Sequence, residues 1–537
     1  MLSAVVAASI ALSLSACSDP TEGGASDDGG AGGAPDATAL NVYLYQAPAS
    51  AFSPMAPLHG PDGLIMSMIY DGLYGVDNNY ELQPHLAVGP PEISPDGTTF
   101  TFELRDDLVW SDGEPFTADD VVFTYNLMAN PASGSTRSGL FAEVKGAAEV
   151  AAGEADSVSG LSAPDDTTFV IETASPNIGL VGLVGNMWIL PEHVLGDIPI
   201  DQMSDHEFFR EPTVGLGPYT FVEYRTDQYV ELVANENYRD DVAIDTVYLR
   251  PVTSDVATAQ LGTGEMDLVQ ISPADLDAVE SLDNVEVESA PGPGFIRLAL
   301  NQTQDRFADP RVRQAIMTAV DREGIVDEAL AGKGSTLVSS FMGEALPDDL
   351  NQYSYDPEAA EQLLSEAGWD PSDPVELVWI PGQRDRDTAA NVVQSQLQDA
   401  GMNVTLRQVQ PSELGDLTDN AKFDMFLFGG GNYATEPWAV YPINGCDQAA
   451  PQGGNLPRFC NEELDALMKQ ANATPDEQER FDLYRQAARI ENEAVPYIWL
   501  YNPDSIWAYN TRLEGFIPSG DFTNGFWNAA DWSISEE

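Results

Sequence analysis

Residues Pro91 to Asn130 read PEISPDGTTFTFELRDDLVWSDGEPFTADDVVFTYNLMAN. Pro95-Asp96-Gly97 has turn chemistry. From Thr99 to Arg105 the chain alternates. Phe100, Phe102 and Leu104 fall on one face and Thr101, Glu103 and Arg105 on the other, the mark of a half-buried strand. Ser111-Asp112-Gly113 makes a second turn. Thr117 followed by Asp120 is a capping pattern, and the apolar run Val121, Val122, Phe123 continues it as a helix. The stretch is therefore strand, turn and helix start. It holds no nucleophile–base pair and no metal-ligand spacing, so its residues alone describe scaffold.

Working outward, 537 residues are enough for two or three domains, and 43% apolar content supports real cores. Lys and Arg number 23 against 87 Asp and Glu, so 23 − 87 gives a formal charge of −64. Such a surface repels nucleic acid and anionic lipid headgroups. Disorder is not indicated, because aromatics make up 9% and periodic segments run almost throughout. Lysine is confined to Lys145, Lys333, Lys422 and Lys469. Acid-rich and lysine-poor together fit either work in high salt, where self-repulsion is screened, or an acidic proteome without halophily.

Met1 to Ala16 is apolar but too short to span a bilayer comfortably, and reads as a signal-peptide core. Leu14-Ser15-Ala16-Cys17 resembles a bacterial lipobox, although no Lys or Arg precedes it. Residues 1–17 are thus expected to be a lipoprotein signal ending at a lipidated Cys17, and 18–38, rich in Gly, Ala, Asp and Ser, a flexible tether. Cys446 and Cys460 are the other cysteines. In an exported protein such a close pair is a disulfide candidate, the alternative being two free thiols. No CxxC or nearby His suggests zinc.

Chemistry-bearing motifs are missing: there is no GxSxG, Walker A or GxGxxG, and His206-Glu207 lacks the second His of HExxH. His59, His85, His193 and His206 are scattered. No catalytic residue, metal ligand or cofactor is expected. Two loops stand out. Phe428 to Tyr441 (FGGGNYATEPWAVY) follows an apolar strand expected at Phe423–Phe428, where α/β lobes present ligand sites. Gly429, Gly430 and Gly431 let a ligand approach the backbone, and Tyr433, Trp438 and Tyr441 offer flat apolar surface. An ordinary surface loop with core aromatics is the alternative. Trp379 to Asp387 (WIPGQRDRD) carries Arg384, whose guanidinium suits a carboxylate or pairs on the surface with Asp385 and Asp387.

Elsewhere, helix patterns are expected at Leu64–Leu73, from Asp309 to a stop at Gly332, from Asp356 to Gly368, and over Asp387–Ala400, Asn461–Gln470 and Asp476–Ala494. Strand patterns are expected at Asn41–Tyr45, Thr167–Thr173, Tyr229–Ala234, Thr246–Val252, Phe295–Asn301, Val375–Ile380, Asn403–Val409 and Tyr497–Asn510.

The string DGTTFTFELRDDLVWSDGEPFTADDVVFTY closely resembles the signature of the large solute-binding proteins of ABC importers, in the peptide/nickel/opine-binding family (family 5). Further motifs follow in the family's order: Tyr70-Asp71-x-Leu73, Gln83-Pro84-His85-Leu86-Ala87, PTVGLGPYTFVEY from Pro212, Asn235-x-x-Tyr238, Gly264-Glu265-x-Asp267 and DPRVRQAIMTAVDREGIVDEAL from Asp309. The resemblance covers roughly residues 40 to 537. It implies an α/β, periplasmic-binding-protein-like (type II, cluster C) fold of two lobes with an extra inserted subdomain and a hinge near Pro291-Gly292-Pro293-Gly294. Lobe I is expected at 39–54, 213–290 and 496–537, the insertion at 55–212 and lobe II at 291–495.

It also implies a monomeric extracytoplasmic protein, held to the membrane only through lipid, that captures a short peptide or peptide-like solute and delivers it to ABC permease subunits. In the family the glycine loop lines the ligand cleft and Glu436-Pro437 is a recurring element. Peptide-binding members carry an Asp for the peptide ammonium where Tyr433 stands here. Gln383-Arg384 resembles the pair whose Arg holds the ligand carboxylate in dipeptide-binding members. Tyr45, Gln46 and Asn432 complete the expected site. An oligosaccharide is the second ligand reading, because aromatics without an ammonium partner suit sugar stacking, and a nickel chelate the third. Outside transport, an exported hydrolase or a lipid-anchored receptor competes.

Overall fold

The computed structural model describes residues 38–49, 52–56, 60–431, 437–520 and 524–535. Cys17, residues 18–37, Asn432, Tyr433 and Glu436 lie outside them. The opening stretch folds as its pattern requires. Strand Thr99–Glu103 buries Phe100 and Phe102 completely, and Leu104 continues it only as a bridge to Ala87. Helix Ala118–Ala129 begins where the Thr117 amide donates to Asp120 Oδ2 at 3.0 Å. Asp120 is buried and also accepts from Glu192 N at 3.0 Å, so the capping residue fastens the helix to a distant segment. Thr99–Glu103 is an inner strand of a four-stranded antiparallel sheet with Glu92–Ile93, Thr168–Glu172 and Leu161–Asp165.

The larger sheet runs in the order Asn403–Gln408, Pro374–Trp379, Met425–Gly431, Gly294–Leu300, Tyr497–Asn510, Leu268–Ile271, Ala39–Leu44, Thr246–Pro251, Tyr229–Ala234, Tyr219–Arg225. Its central element is the 14-residue strand Tyr497–Asn510. The first half pairs with Gly294–Leu300 and the second with Leu268–Ile271 and Val285–Pro291. Two principal cores form on either side of this change of partner. One combines residues from Leu40 to Leu268 with Trp507 to Trp532, and the other runs from Phe295 to Tyr501. The protein is thus a two-lobed α/β fold. The chain crosses between cores at 292–293 and again at 502–505, inside the long strand and later than the expected 495–496 boundary. At the crossings the Asn502 amide donates to Gly292 O, and Ser505 Oγ donates to Gly520 O at 2.7 Å.

Several motifs prove to be fastenings. Helix Gly60–Ile69 ends before Tyr70-Asp71, earlier than the expected Leu73. Asp71 then receives His85 Nδ1 at 2.7 Å and the Arg239 guanidinium, so two motifs and the residue after a third meet at one buried carboxylate. Gly217 N donates to Ile69 O at 2.8 Å, an approach too close for any side chain on Gly217, whose Cβ would lie 2.4 Å from Met68 O.

Three sequence boundaries are corrected. The helix expected from Asp309 to Gly332 is two helices, Pro310–Ala319 and Arg322–Leu330. Val320 is extended between them, and the Asp321 side chain caps the second by accepting from Gly324 N at 2.9 Å. The strand expected at Phe423–Phe428 runs instead from Met425 through the glycines to Gly431, because Gly294–Leu300 supplies a partner for each of them. The helix expected from Asp387 begins at Arg384.

Candidate functional site

The hinge segment and the glycine strand meet register for register: Gly294 opposes Gly431, Phe295 opposes Gly430 and Ile296 opposes Gly429. Four of these six positions are glycine, and on the other side Pro374–Trp379 pairs only with Met425–Leu427, so beside the 292–293 crossing Gly429–Gly431 form an open strand edge with little side-chain cover. A Cβ on Gly429 would lie 2.5 Å from Arg386 Nη2 and 2.8 Å from Ile296 Cδ1. The absent side chain is what admits the guanidinium.

Arg386 is held there by its neighbours. Asp387 anchors the loop, accepting from Trp379 Nε1 at 2.7 Å and from Gly382 N at 3.2 Å. Asp385 accepts from the Tyr501 hydroxyl of the long strand at 3.0 Å. Burial first, then the charge of Asp385, push that hydroxyl far above the ordinary tyrosine range. With both acids engaged in other bonds, Arg386 faces the glycine edge, and its buried Nε has no hydrogen-bond partner among the described residues. Behind the edge Arg297 is boxed by Tyr497, Phe295, Phe428 and Trp499 at 3.8, 4.0, 4.9 and 4.9 Å from the ring centroids. Burial pulls its guanidinium down to about 10. This stacked box stiffens the wall that carries the glycines.

The other expected residues separate. Gln383 and Arg384 are exposed at the start of helix Arg384–Asp399. Helical spacing explains why Arg386, and not Arg384, lies by the glycine strand. The buried stripe Ala389, Ala390, Val393, Leu397 extends back to 386, whereas 384 lies on the opposite side. Starting the helix at Asp387 hid that phase. Tyr45 and Gln46 follow strand Ala39–Leu44, both exposed. Tyr441 turns away from the glycine edge. Its ring packs at Gly445, its hydroxyl donates to Asp447 at 2.5 Å, and Lys469 Nζ lies 5.4 Å from its centroid. Cys446 and Cys460 are bonded, closing the loop that follows Tyr441. Trp438 lies against Gly179 and Gly182, which flank Leu180 of the first core. No group of three or more metal-ligating side chains occurs among the described residues, and no helix among them is long and apolar enough to cross a membrane.

Comparison with known proteins gives the same architecture. An oligopeptide-binding protein, AppA, of Bacillus subtilis is 27% identical over 527 residues, 94% of each chain. Its crystal structure with a nonapeptide superposes with a TM-score of 0.73 at 25% identity, covering 93% of this chain and 99% of that one. The ABC transporter substrate-binding protein CtaP of Listeria monocytogenes superposes with a TM-score of 0.81 at 24% identity, over 93% of this chain and 99% of its own, a likeness of fold. Residues 81–451 match the profile of the bacterial extracellular solute-binding proteins, family 5, and the chain belongs to that family.

Proposed function

We propose that this protein captures a short peptide or peptide-like solute with an anionic group, closes on it about the 292–293 and 502–505 crossings, and delivers it to an ABC permease while tethered by lipid on Cys17. Arg386 carries the proposal. A partly buried guanidinium with an unpartnered Nε, beside a strand edge without side chains, suits a carboxylate next to an extended backbone. The peptide ligands of relatives support the solute class. In this reading lobe I and the insertion are built around the first core and lobe II around the second, with the long strand shared between them. The family's role is binding, and no bond-making step is assigned to any residue.

Native mass spectrometry of the purified protein would identify the species it carries. Calorimetry with that species on Arg386→Ala and Arg384→Ala then tests the site. Truncating one partner of a buried charged pair costs about 2–5 kcal/mol. That loss is expected for Arg386→Ala, with Arg384→Ala close to silent. Full affinity in Arg386→Ala would refute the assignment. A carried species without an anionic group would refute the ligand class.

A further inference from the structure

Away from the two chain crossings, the first core touches a further, smaller cluster, built from Val440, Leu464, Met468, Ala471 and Tyr484 among others. Ile178 and Leu180, of the first core, sit on a segment that follows the four-stranded sheet. Ile178 N donates to Asn472 O, at the end of helix Glu462–Asn472, at 3.0 Å. Next to this bond Trp438 lies on a seat of two glycines. A Cβ on Gly179 would be 2.7 Å from Trp438 Cβ and Cγ, and one on Gly182 would be 2.7 Å from Trp438 Nε1. Real side chains do not approach so closely, so the indole fits only because both positions are bare. The turn of the opening stretch completes the contact: Gly97 lies between Pro176 and Pro475, its Cβ position 3.2 and 3.6 Å from them.

Trp438 and Asn472 are tied to one packed cluster. Tyr484 donates to Asn472 Oδ1 at 2.6 Å, and Val440, two residues after Trp438, packs in the same cluster as Tyr484. Gly179 and Gly182 are equally fixed, flanking or lying within helix Leu180–Val184. One rigid body therefore presents a ring and the other a slot for it. The indole Nε1 is buried with no hydrogen-bond partner among the described residues, a standing cost of the contact.

We propose that Trp438, seated on Gly179 and Gly182, is the closing latch of this protein, and that it acts on binding through the open–closed balance rather than by stacking on the solute. The proposal rests on the hinge-closure mechanism above. The test uses the full chain as purified and reads amide hydrogen exchange at Ile178 by mass spectrometry, with strand Thr168–Glu172 as internal control. Gly179 has helical φ and ψ, −63° and −13°, so alanine there is compatible with the backbone and favours the helix. Gly179→Ala, Gly182→Ala and Trp438→Ala should each speed exchange at Ile178 at least about tenfold without changing the control strand. Trp438→Phe, which keeps a flat ring and drops the unpartnered N–H, should retain protection. Wild-type protection at Ile178 in all three alanine variants, or an Ile178 amide in the wild type as open as a surface loop, would overturn the latch. Closure itself is read separately, by small-angle scattering of wild type before and after stripping its carried solute by denaturing dialysis. An unchanged radius of gyration there refutes hinge closure, while the exchange data still decide whether Trp438 holds the two bodies together.

Discussion

Replacing Asp267 by Asn isolates what the Gly264-Glu265-x-Asp267 motif does. The carboxylate is fully buried. It accepts from Arg512 Nε at 2.7 Å, from Arg512 Nη2 at 2.8 Å and from the Asn41 amide at 2.8 Å. Arg512 also donates to Ala39 O at 3.0 Å, so one ion pair ties the first strand of the sheet to the end of the long strand. Asparagine keeps the volume but removes the charge and turns a donor toward donors. Removing one partner of a buried pair costs about 3–5 kcal/mol. Arg512 keeps 21% side-chain exposure, so water takes up part of its stranded charge, and the low end, about 3 kcal/mol, is expected. Urea unfolding followed by tryptophan fluorescence measures it, with circular dichroism as a second probe because two cores need not melt as one. Adding Arg512→Met should recover part of the loss, since the buried charge then goes with its partner. The loss should be nearly the same at about 0.1 and 1 M salt, because a buried pair is poorly screened. A loss below about 1 kcal/mol, the value of a surface pair, would refute the reasoning.

Asp71 gives a pH prediction. Burial alone would raise its carboxyl, but His85 and Arg239 outweigh that and hold it down at about 2. A depressed folded-state value means stability that is present above 3.8 and lost as pH falls through about 2, on the order of 2 kcal/mol. Asp71→Asn should flatten the stability profile over that window, and an acid limb as steep as in wild type would contradict it. Salt should raise the melting temperature, because folding compresses a charge of −64 and the Debye length falls from about 10 Å at 0.1 M to about 3 Å at 1 M; a flat or falling curve counts against a salt-adapted surface. Reducing Cys446–Cys460, which are 14 residues apart, should cost up to about 3 kcal/mol and loosen the amides between them. An unchanged urea midpoint and unchanged exchange after reduction would exclude that role.

Elements governed by neighbours in sequence were legible. Thr117–Asp120 and Asp309-Pro310 start helices where their capping chemistry requires, and Tyr497–Asn510 is a strand over its full expected length. The site was less so, because its geometry depends on partners remote in the chain. Three successive glycines look like the end of a strand, and only the pairing with Gly294–Ile296 makes them part of one. Arg384 and Arg386 differ by half a helical turn, and which of them shares the buried face depends on where the helix begins. Trp438 and Tyr441 are equally aromatic. The first meets two glycines more than 250 positions earlier, and the second an acid and a lysine on its own lobe.

The position of the long strand also governs when this protein can fold. Residues 497–501 complete the second core and Trp507 to Trp532 complete the first, so both wait for the same late segment. During synthesis every earlier residue is made before the larger sheet has its central member, and strands Gly294–Leu300 and Leu268–Ile271 lack that partner until then. Both lobes therefore depend on one strand near the end of the chain, and neither core is complete until it has been made.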